Sequence, residues 1–204
     1  NVVGNIVDFD SYLLRREVIL MCKILKNLQG KSAKQLLEQY KISMDTLPID
    51  LPKLLENIGI STYEQDFSEV EDEVGYEHGY ILGAAISNDE KLGIFFKKGE
   101  SLNKTMFIAA HELGHCCLHG DSLKIGHIEF KTSIGNEDDH EEEANKFARE
   151  LLIPEDSLRK QYSKFIIPSL SALSKIYRVS TKVMVKRLDE LNLSYFKDTA
   201  ISEE

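Results

Sequence analysis

The chain contains no tryptophan, and only four prolines and three cysteines occur in its 204 residues. The cysteines are Cys22, Cys116 and Cys117; neighbours in sequence rarely bridge each other, and an odd total supplies no disulfide framework. With 42% apolar residues the chain can fill a core without staples, and a reducing compartment fits this cysteine usage. Long apolar runs are also lacking. The longest near the start, Val18 to Cys22, is hemmed in by Arg15, Arg16, Glu17 and Lys23, which leaves no signal peptide and no membrane span there. The expectation is a soluble, cytoplasmic protein without a membrane partner. An excess of positive charge is missing as well: the net charge of -9 disfavours binding of a polyanion by the molecule as a whole. No internal repeat or low-complexity segment is present.

Charge is nevertheless uneven. Ser157 to Leu188 holds eight basic residues (Arg159, Lys160, Lys164, Lys175, Arg178, Lys182, Lys186, Arg187) and no acidic one. Acidic residues collect in Glu64 to Glu77 and Glu137 to Glu143. A charge run usually marks a solvated face.

Periodicity divides the chain into three stretches. Residues 1–46 read as a helical extension, with Tyr12, Leu13, Val18, Met21, Cys22 and Leu25 three and four apart, Gly30 as a stop, and a second helix from Ala33 to Tyr40. Residues 47–156 read as a core domain. It opens with a helix capped by Asp50 and ended by Gly59, continues as a strand from Ile60 to Tyr63, and then crosses an acidic loop. A hairpin follows, Tyr80 to Ser87 and Leu92 to Lys97 around Asn88 and Asp89, leading to a helix from Ser101 to about His119. Met106, Ala110, Leu113 and Cys117 form an apolar stripe on that helix. Beyond a polar stretch with Gly120, Gly126 and Gly135, Asp139 to Leu152 makes another helix, which Pro154 ends. Residues 157–204 read as a C-terminal lobe, where Ser169 to Leu191 forms two helices meeting near Val179 in the manner of a helix-turn-helix.

The run His111-Glu112-Leu113-Gly114-His115 carries the chemistry. Histidines four apart on a helix lie about 40° apart around the axis and roughly 6 Å along it, so both imidazoles can reach one ion. Glu112 need not bind that ion; its longer side chain reaches a water and takes the proton. Zinc acidifies such a water to a pKa of roughly 7, so the motif points to amide hydrolysis at neutral pH. Two surface histidines beside a salt-bridging glutamate would spell the same letters, but Gly114, Ala109 and Ala110 suit a closely packed helix.

A catalytic zinc site usually takes three protein ligands. Asp121 lies ten residues after His111, where some zinc peptidases place a third ligand, yet Leu118 stands where that pattern needs a helix-breaking glycine. His119 is about 12 Å along the axis from His111, too far to share the ion, and suits a capping or supporting role. The remaining candidates are Glu141, Glu142 and Glu143 on the next helix. Phe147, Leu151 and Leu152 mark its buried side, with Glu141 and Glu143 at the border. Asn145, one turn beyond Glu141, could hydrogen-bond the free ring nitrogen of a ligand histidine, which favours Glu141. Glu142 suits an acidic first turn that complements the helix dipole. Cys117 falls on the apolar stripe and reads as a small hydrophobe, Cys116 has no partner in the sequence, and His127 and His140 read as surface residues.

Three segments together, Phe107 to His119 (FIAAHELGHCCLH), Glu141 to Pro154 (EEEANKFARELLIP) and Ser169 to Leu188, resemble the ImmA/IrrE metallopeptidases, with Pro48 to Ile60 as a weaker fourth. The resemblance covers about residues 48–191. It implies an α+β, mostly helical fold: a zincin-like metallopeptidase core with a small antiparallel sheet and a helix-turn-helix-like C-terminal lobe. It further implies one catalytic Zn2+ in a gluzincin-like site, His111, His115 and Glu141 as ligands, and Glu112 as general base. The family commonly enters its motif helix through a basic RxRFTxAHE segment, whereas this chain has LNKTMFIAAHE, and a repressor-type N-terminal module is not evident. Relatives of this kind typically cleave or disable Xre-type helix-turn-helix repressors, so a repressor is the implied protein substrate.

Two functions follow as expectations. The first is an endopeptidase acting on a specific regulatory protein, with the hairpin strand nearest the motif helix offering its edge to an extended peptide. The second is a regulator that binds DNA or protein through the basic segment, its metal site structural or vestigial; direct DNA contact is the less favoured part of that alternative.

Overall fold

The structure, a computed structural model, describes residues 23–87, 91–120, 129–132, 139–164, 166 and 168–196. The expectations placed on Tyr12 to Cys22, on the Asn88–Asp89 turn, and on Asp121, Gly126, His127 and Gly135 lie outside the described residues.

Helix ends fall where the sequence carries capping chemistry. Helix α1 is Lys23–Leu28 and α2 Ala33–Gln39; Ser32 and Gln35 cap the latter reciprocally, satisfying two amides at once. Helix α3, Leu51–Ile58, begins with the Asp50 side chain accepting from the Lys53 amide and ends at Gly59, whose φ of 92° is the left-handed conformation that a glycine adopts without strain. Strand β1, Ile60–Gln65, follows at once.

The acidic stretch expected as a loop contains a helix, α4, Ser68–Val74. Its Glu71 is buried, and the carboxylate accepts from the amides of Gly79 at 2.8 Å and Ile81 at 2.7 Å. One member of the charge run therefore anchors the start of strand β2, Ile81–Ser87, and is no part of a solvated face. Strand β3 is Leu92–Lys97 and β4 Glu129–Thr132.

The four strands lie in the order β1-β3-β2-β4. The expected antiparallel hairpin is present as β2 and β3, but β1 joins β3 in parallel, so the sheet is mixed. The segment holding α4 and β2 reverses the chain twice between β1 and β3, which brings them alongside in the same direction. A consequence is that neither hairpin edge is free: β1 occupies the outer edge of β3, and β4 that of β2. The expectation that a hairpin strand offers its edge to a substrate is thereby corrected.

β2 is buried along its whole length. Phe67, Ile86 and Phe95 form a small core on the side of α4. The other face, with Ala85, Leu92 and Ile94, packs on helix α5, Leu102–Leu118, which Ser101 caps. Because α5 lies between the sheet and the later helices, Ile108 to Cys117 are buried without interruption; the single apolar stripe expected from the sequence understated this. Helix α6, Asp139–Leu152, runs antiparallel to α5, with Met106 near Leu152 at one end and His119 beside Glu143 at the other.

The rest of the chain closes over this pair. Helix α7, Glu155–Tyr162, starts directly after Pro154, and α8, Leu170–Tyr177, meets α9, Thr181–Glu190, through Val179, with Ser169 and Ser180 as caps. This is the helix-turn-helix-like arrangement expected. One apolar cluster runs from Leu25 through α5 and α6 to Leu188, and the Gly30 amide donates to the Cys117 carbonyl at 2.7 Å. Arg149 fastens α6 to α9 through Glu190 at 2.6 Å and also holds Glu142 at 2.6 Å. Within the basic segment, Arg159 pairs with Glu155, Lys160 with Asp45 and Arg187 with Glu190. No described helix is long and apolar enough to cross a membrane.

Candidate metal centre

Helix period brings His111 and His115 to one face of α5, and the antiparallel packing of α6 brings Glu141 opposite them. Two glycines allow the approach. A Cβ at Gly114 would lie 3.2 Å from Ala144 Cα and 3.2 Å from its carbonyl oxygen, so α5 and α6 pack backbone to backbone. A Cβ at Gly83 on β2 would run into Ile108 and lie 2.9 Å from Glu112 Oε1. Nothing in the sequence singles out Gly83; a glycine inside a strand signals a close approach but not what approaches.

The imidazoles of His111 and His115 present their Nε2 atoms to one another at 2.9 Å. Glu141 Oε1 is 3.1 Å from His115 Nε2, and Oε2 is 3.4 Å from His111 Nε2. A tetrahedron with bonds of about 2.0 to 2.1 Å has edges of about 3.3 Å, so the three donors stand at the separations one small cation requires. The donor set, two imidazole nitrogens and a carboxylate, suits the same ion. Both histidines are buried and Glu141 is half-buried. Burial alone would push the Glu141 carboxyl up, but the hydrogen bonds and charges of His111 and His115 outweigh it and hold it well below the usual carboxylate range.

The surrounding residues divide sharply. Asn145 Oδ1 lies 3.0 Å from His111 Nδ1, the supporting position expected for it. Glu112 is wholly buried on α5, one residue from the first histidine and against the sheet at Gly83. Glu142 turns away to Arg149, a specific partner in place of the general dipole role expected from its position. Glu143, the other border residue, pairs at 2.9 Å with His119. His119 caps the C-terminus of α5 and approaches His115 Nδ1 at 3.1 Å through its own Nδ1. His140, read from sequence as a surface residue, is exposed, and its ring stacks on His119 with centroids 4.2 Å apart. Cys116 and Cys117 are buried in the main core.

Residues 56–189 match the family described as the IrrE N-terminal-like domain, a family of peptidases. No curated protein matches the chain. The matched span contains the four described strands, the α5–α6 pair, α7, α8 and all but the last residue of α9, the mostly helical α+β architecture of a zincin-like core.

Proposed function

The chain belongs to this peptidase family, and we propose that it is a zinc-dependent endopeptidase that cuts a peptide bond in a specific regulatory protein, an Xre-type helix-turn-helix repressor being the target class. The observation that carries the reading is the convergence of His111, His115 and Glu141, whose candidate ligand atoms all lie within 4.8 Å of one another, beside the buried Glu112. In this reading His111, His115 and Glu141 hold the ion. Zinc bound there supplies Lewis acidity, polarising the scissile carbonyl and acidifying the attacking water. Glu112 Oε takes the proton from that water as it attacks, then delivers it to the leaving amine nitrogen. Asn145 accepts from His111 Nδ1–H and so keeps the Nε2 lone pair of that ring directed into the site.

An extended substrate needs a strand edge, and among the described strands β4 ends the sheet on the β2 side. A peptide added there runs parallel to the sheet that supports Glu112. The repressor as target rests on the resemblance of the three sequence segments and on the compartment expected from cysteine usage.

The test is incubation of the purified chain with a candidate repressor and zinc, read by intact mass. Two fragments whose masses sum to the repressor plus one water are expected, lost with chelator and lost in Glu112→Gln. Equal inactivation of the repressor by Glu112→Gln carrying its full complement of metal would sink the peptidase reading.

A further inference from the structure

The nitrogens on the outer side of the site are as ordered as those facing inward. His115 Nδ1 meets His119 Nδ1 at 3.1 Å, and His119 Nε2 meets Glu143 Oε2 at 2.9 Å. His119 is only 8% exposed, held by the end of α5 on one side and by the stacked His140 ring, tilted 27°, on the other. The Glu143 side chain is 60% exposed. Glu143, His119 and His115 thus form a path from the surface to the inner wall of the candidate metal centre, with His140 stacked beside it.

Hydrogen-bond chemistry gives that path a direction. A carboxylate only accepts, so His119 Nε2 must be the donor to Glu143. A neutral imidazole protonated at Nε2 carries its lone pair on Nδ1, so His119 Nδ1 accepts. Its neighbour, His115 Nδ1, is then the donor. His115 therefore keeps its proton on Nδ1 and its lone pair on Nε2, the atom that faces His111 and Glu141. That assignment belongs to the ion-bound site, where the Nε2 lone pairs of His111 and His115 and the Glu141 carboxylate all point at one cation; with no ion between them, Glu141 instead accepts from a histidine Nε2–H.

We propose that His119 and Glu143 are positioning residues that fix the ligating tautomer and ring plane of His115, with His140 holding His119 in line. The proposal rests on His115 being a metal ligand, as in the preceding section. It also distinguishes the two histidines. His111 is steadied by a neutral amide, whereas His115 is backed by an imidazole and, through it, by a carboxylate, an arrangement that raises ligand basicity. Glu143, two residues beyond the ligand Glu141 and next to Glu142, thereby has a function distinct from either.

Three variants and one spectrum test this. Zinc affinity, measured by chelator competition, is expected to fall by about 10- to 100-fold in His119→Ala, the range found when an outer partner of a ligand histidine is removed. Glu143→Ala is expected to weaken binding in the same direction but less. The double variant is expected to match His119→Ala alone, because Glu143 acts only through His119. Long-range nitrogen–proton NMR of the zinc-loaded wild type is expected to show His115 protonated at Nδ1 and His119 protonated at Nε2. If His119→Ala proves poorly folded, Glu143→Ala still decides, since it alters an exposed side chain. Wild-type zinc affinity in both single variants, additive losses in the double variant, or His119 protonated at Nδ1 and not at Nε2 would each overturn the relay while leaving the metal site intact. Failure of the wild type to bind zinc, or undiminished binding by His115→Ala, would instead remove the metal-site reading and the relay with it.

Discussion

Gly114 and Ala144 bring the backbones of α5 and α6 so close that a Cβ on Gly114 would stand 3.2 Å from the Ala144 Cα. The same Cβ would lie 3.2 Å from Phe147 Cβ, so the wedge has no soft neighbour to displace. Since Glu141 is three residues before Ala144 on α6, spreading the helices moves the carboxylate away from the histidines. Gly114→Val is therefore expected to weaken zinc binding at least tenfold and to cost the metal-free protein about 1 to 3 kcal/mol, the usual range for overpacking. Chelator competition and urea unfolding measure the two effects. Unchanged zinc affinity would mean that Glu141 does not depend on this contact.

On the other face of α5, Gly83 plays the corresponding part for Glu112. A methyl group there meets Ile108 and sits 2.9 Å from Glu112 Oε1. Gly83→Ala is expected to reduce peptide cleavage by 10-fold or more while metal content stays at the wild-type level, because it disturbs the proposed base Glu112 and not the proposed ligands. Loss of metal in this variant would place its effect on the helix as a whole.

Much of this site was legible because it obeys helix period. The spacing of His111 and His115 put two candidate ligands on one face, and Asn145 one turn after Glu141 offered a candidate supporting amide; both relations hold within a single helix or repeat its pitch. The caps Ser101, Asp50 and Ser180 were legible for the same local reason. What could not be read depends on packing between elements. The pairing of His119 with Glu143 requires knowing that α6 runs antiparallel to α5 and in which register. The parallel addition of β1 to β3 is a choice among sheet orders that alternation leaves open. Glu71 was hidden by its own neighbours: six other acidic residues between Glu64 and Glu77 give the stretch a solvated look, and only the fold shows that this carboxylate turns inward to two amides.

If His111, His115 and Glu141 hold zinc, the metal stabilises the folded state by mass action. Free zinc at a thousand times its dissociation constant adds about 4 kcal/mol. Thermal unfolding with and without zinc is expected to show a clear rise in Tm for the wild type, abolished in His115→Ala and in Glu141→Ala. A rise that persists in both would assign the stabilising ion to another location.

Arg149 is one of the links between α6, which carries the candidate ligand Glu141, and α9. Its side chain is 6% exposed and meets Glu190 and Glu142 at 2.6 Å each. Arg149→Ala is expected to destabilise the protein by about 3 kcal/mol, the low end for breaking a buried pair, because both carboxylates keep some contact with water. Arg149→Lys should recover little of this, as a single ammonium cannot span two carboxylates as the planar guanidinium does. Urea unfolding of the three proteins decides it. A full rescue by lysine would show that charge alone, not the fork geometry, holds the helices together.

The core thiol gives the fold a pH limit. Burial pushes Cys117 up from 9.0 to about 12, against a smaller opposing effect of Lys31, and burial likewise pushes Tyr177 up from 10.0 to about 12, partly offset by its hydrogen bond with Ser157. Above pH 9 the unfolded chain releases the Cys117 proton while the folded chain retains it. The native state then binds more protons than the unfolded one, so stability falls as pH rises, by at most about 1.4 kcal/mol per pH unit for each such group. Below pH 9 this contribution to stability is intact; the loss runs from 9 to about 12, with Tyr177 joining above 10. At neutral pH the Cys117 thiol stays protonated and enclosed, which argues against a redox or nucleophilic role for it. Unfolding midpoints measured from pH 8 to pH 11 are expected to decline, and Cys117→Ala, whatever its cost at pH 8, is expected to flatten the decline between pH 9 and 10. A slope in that interval that survives the substitution would assign the alkaline sensitivity to some other group.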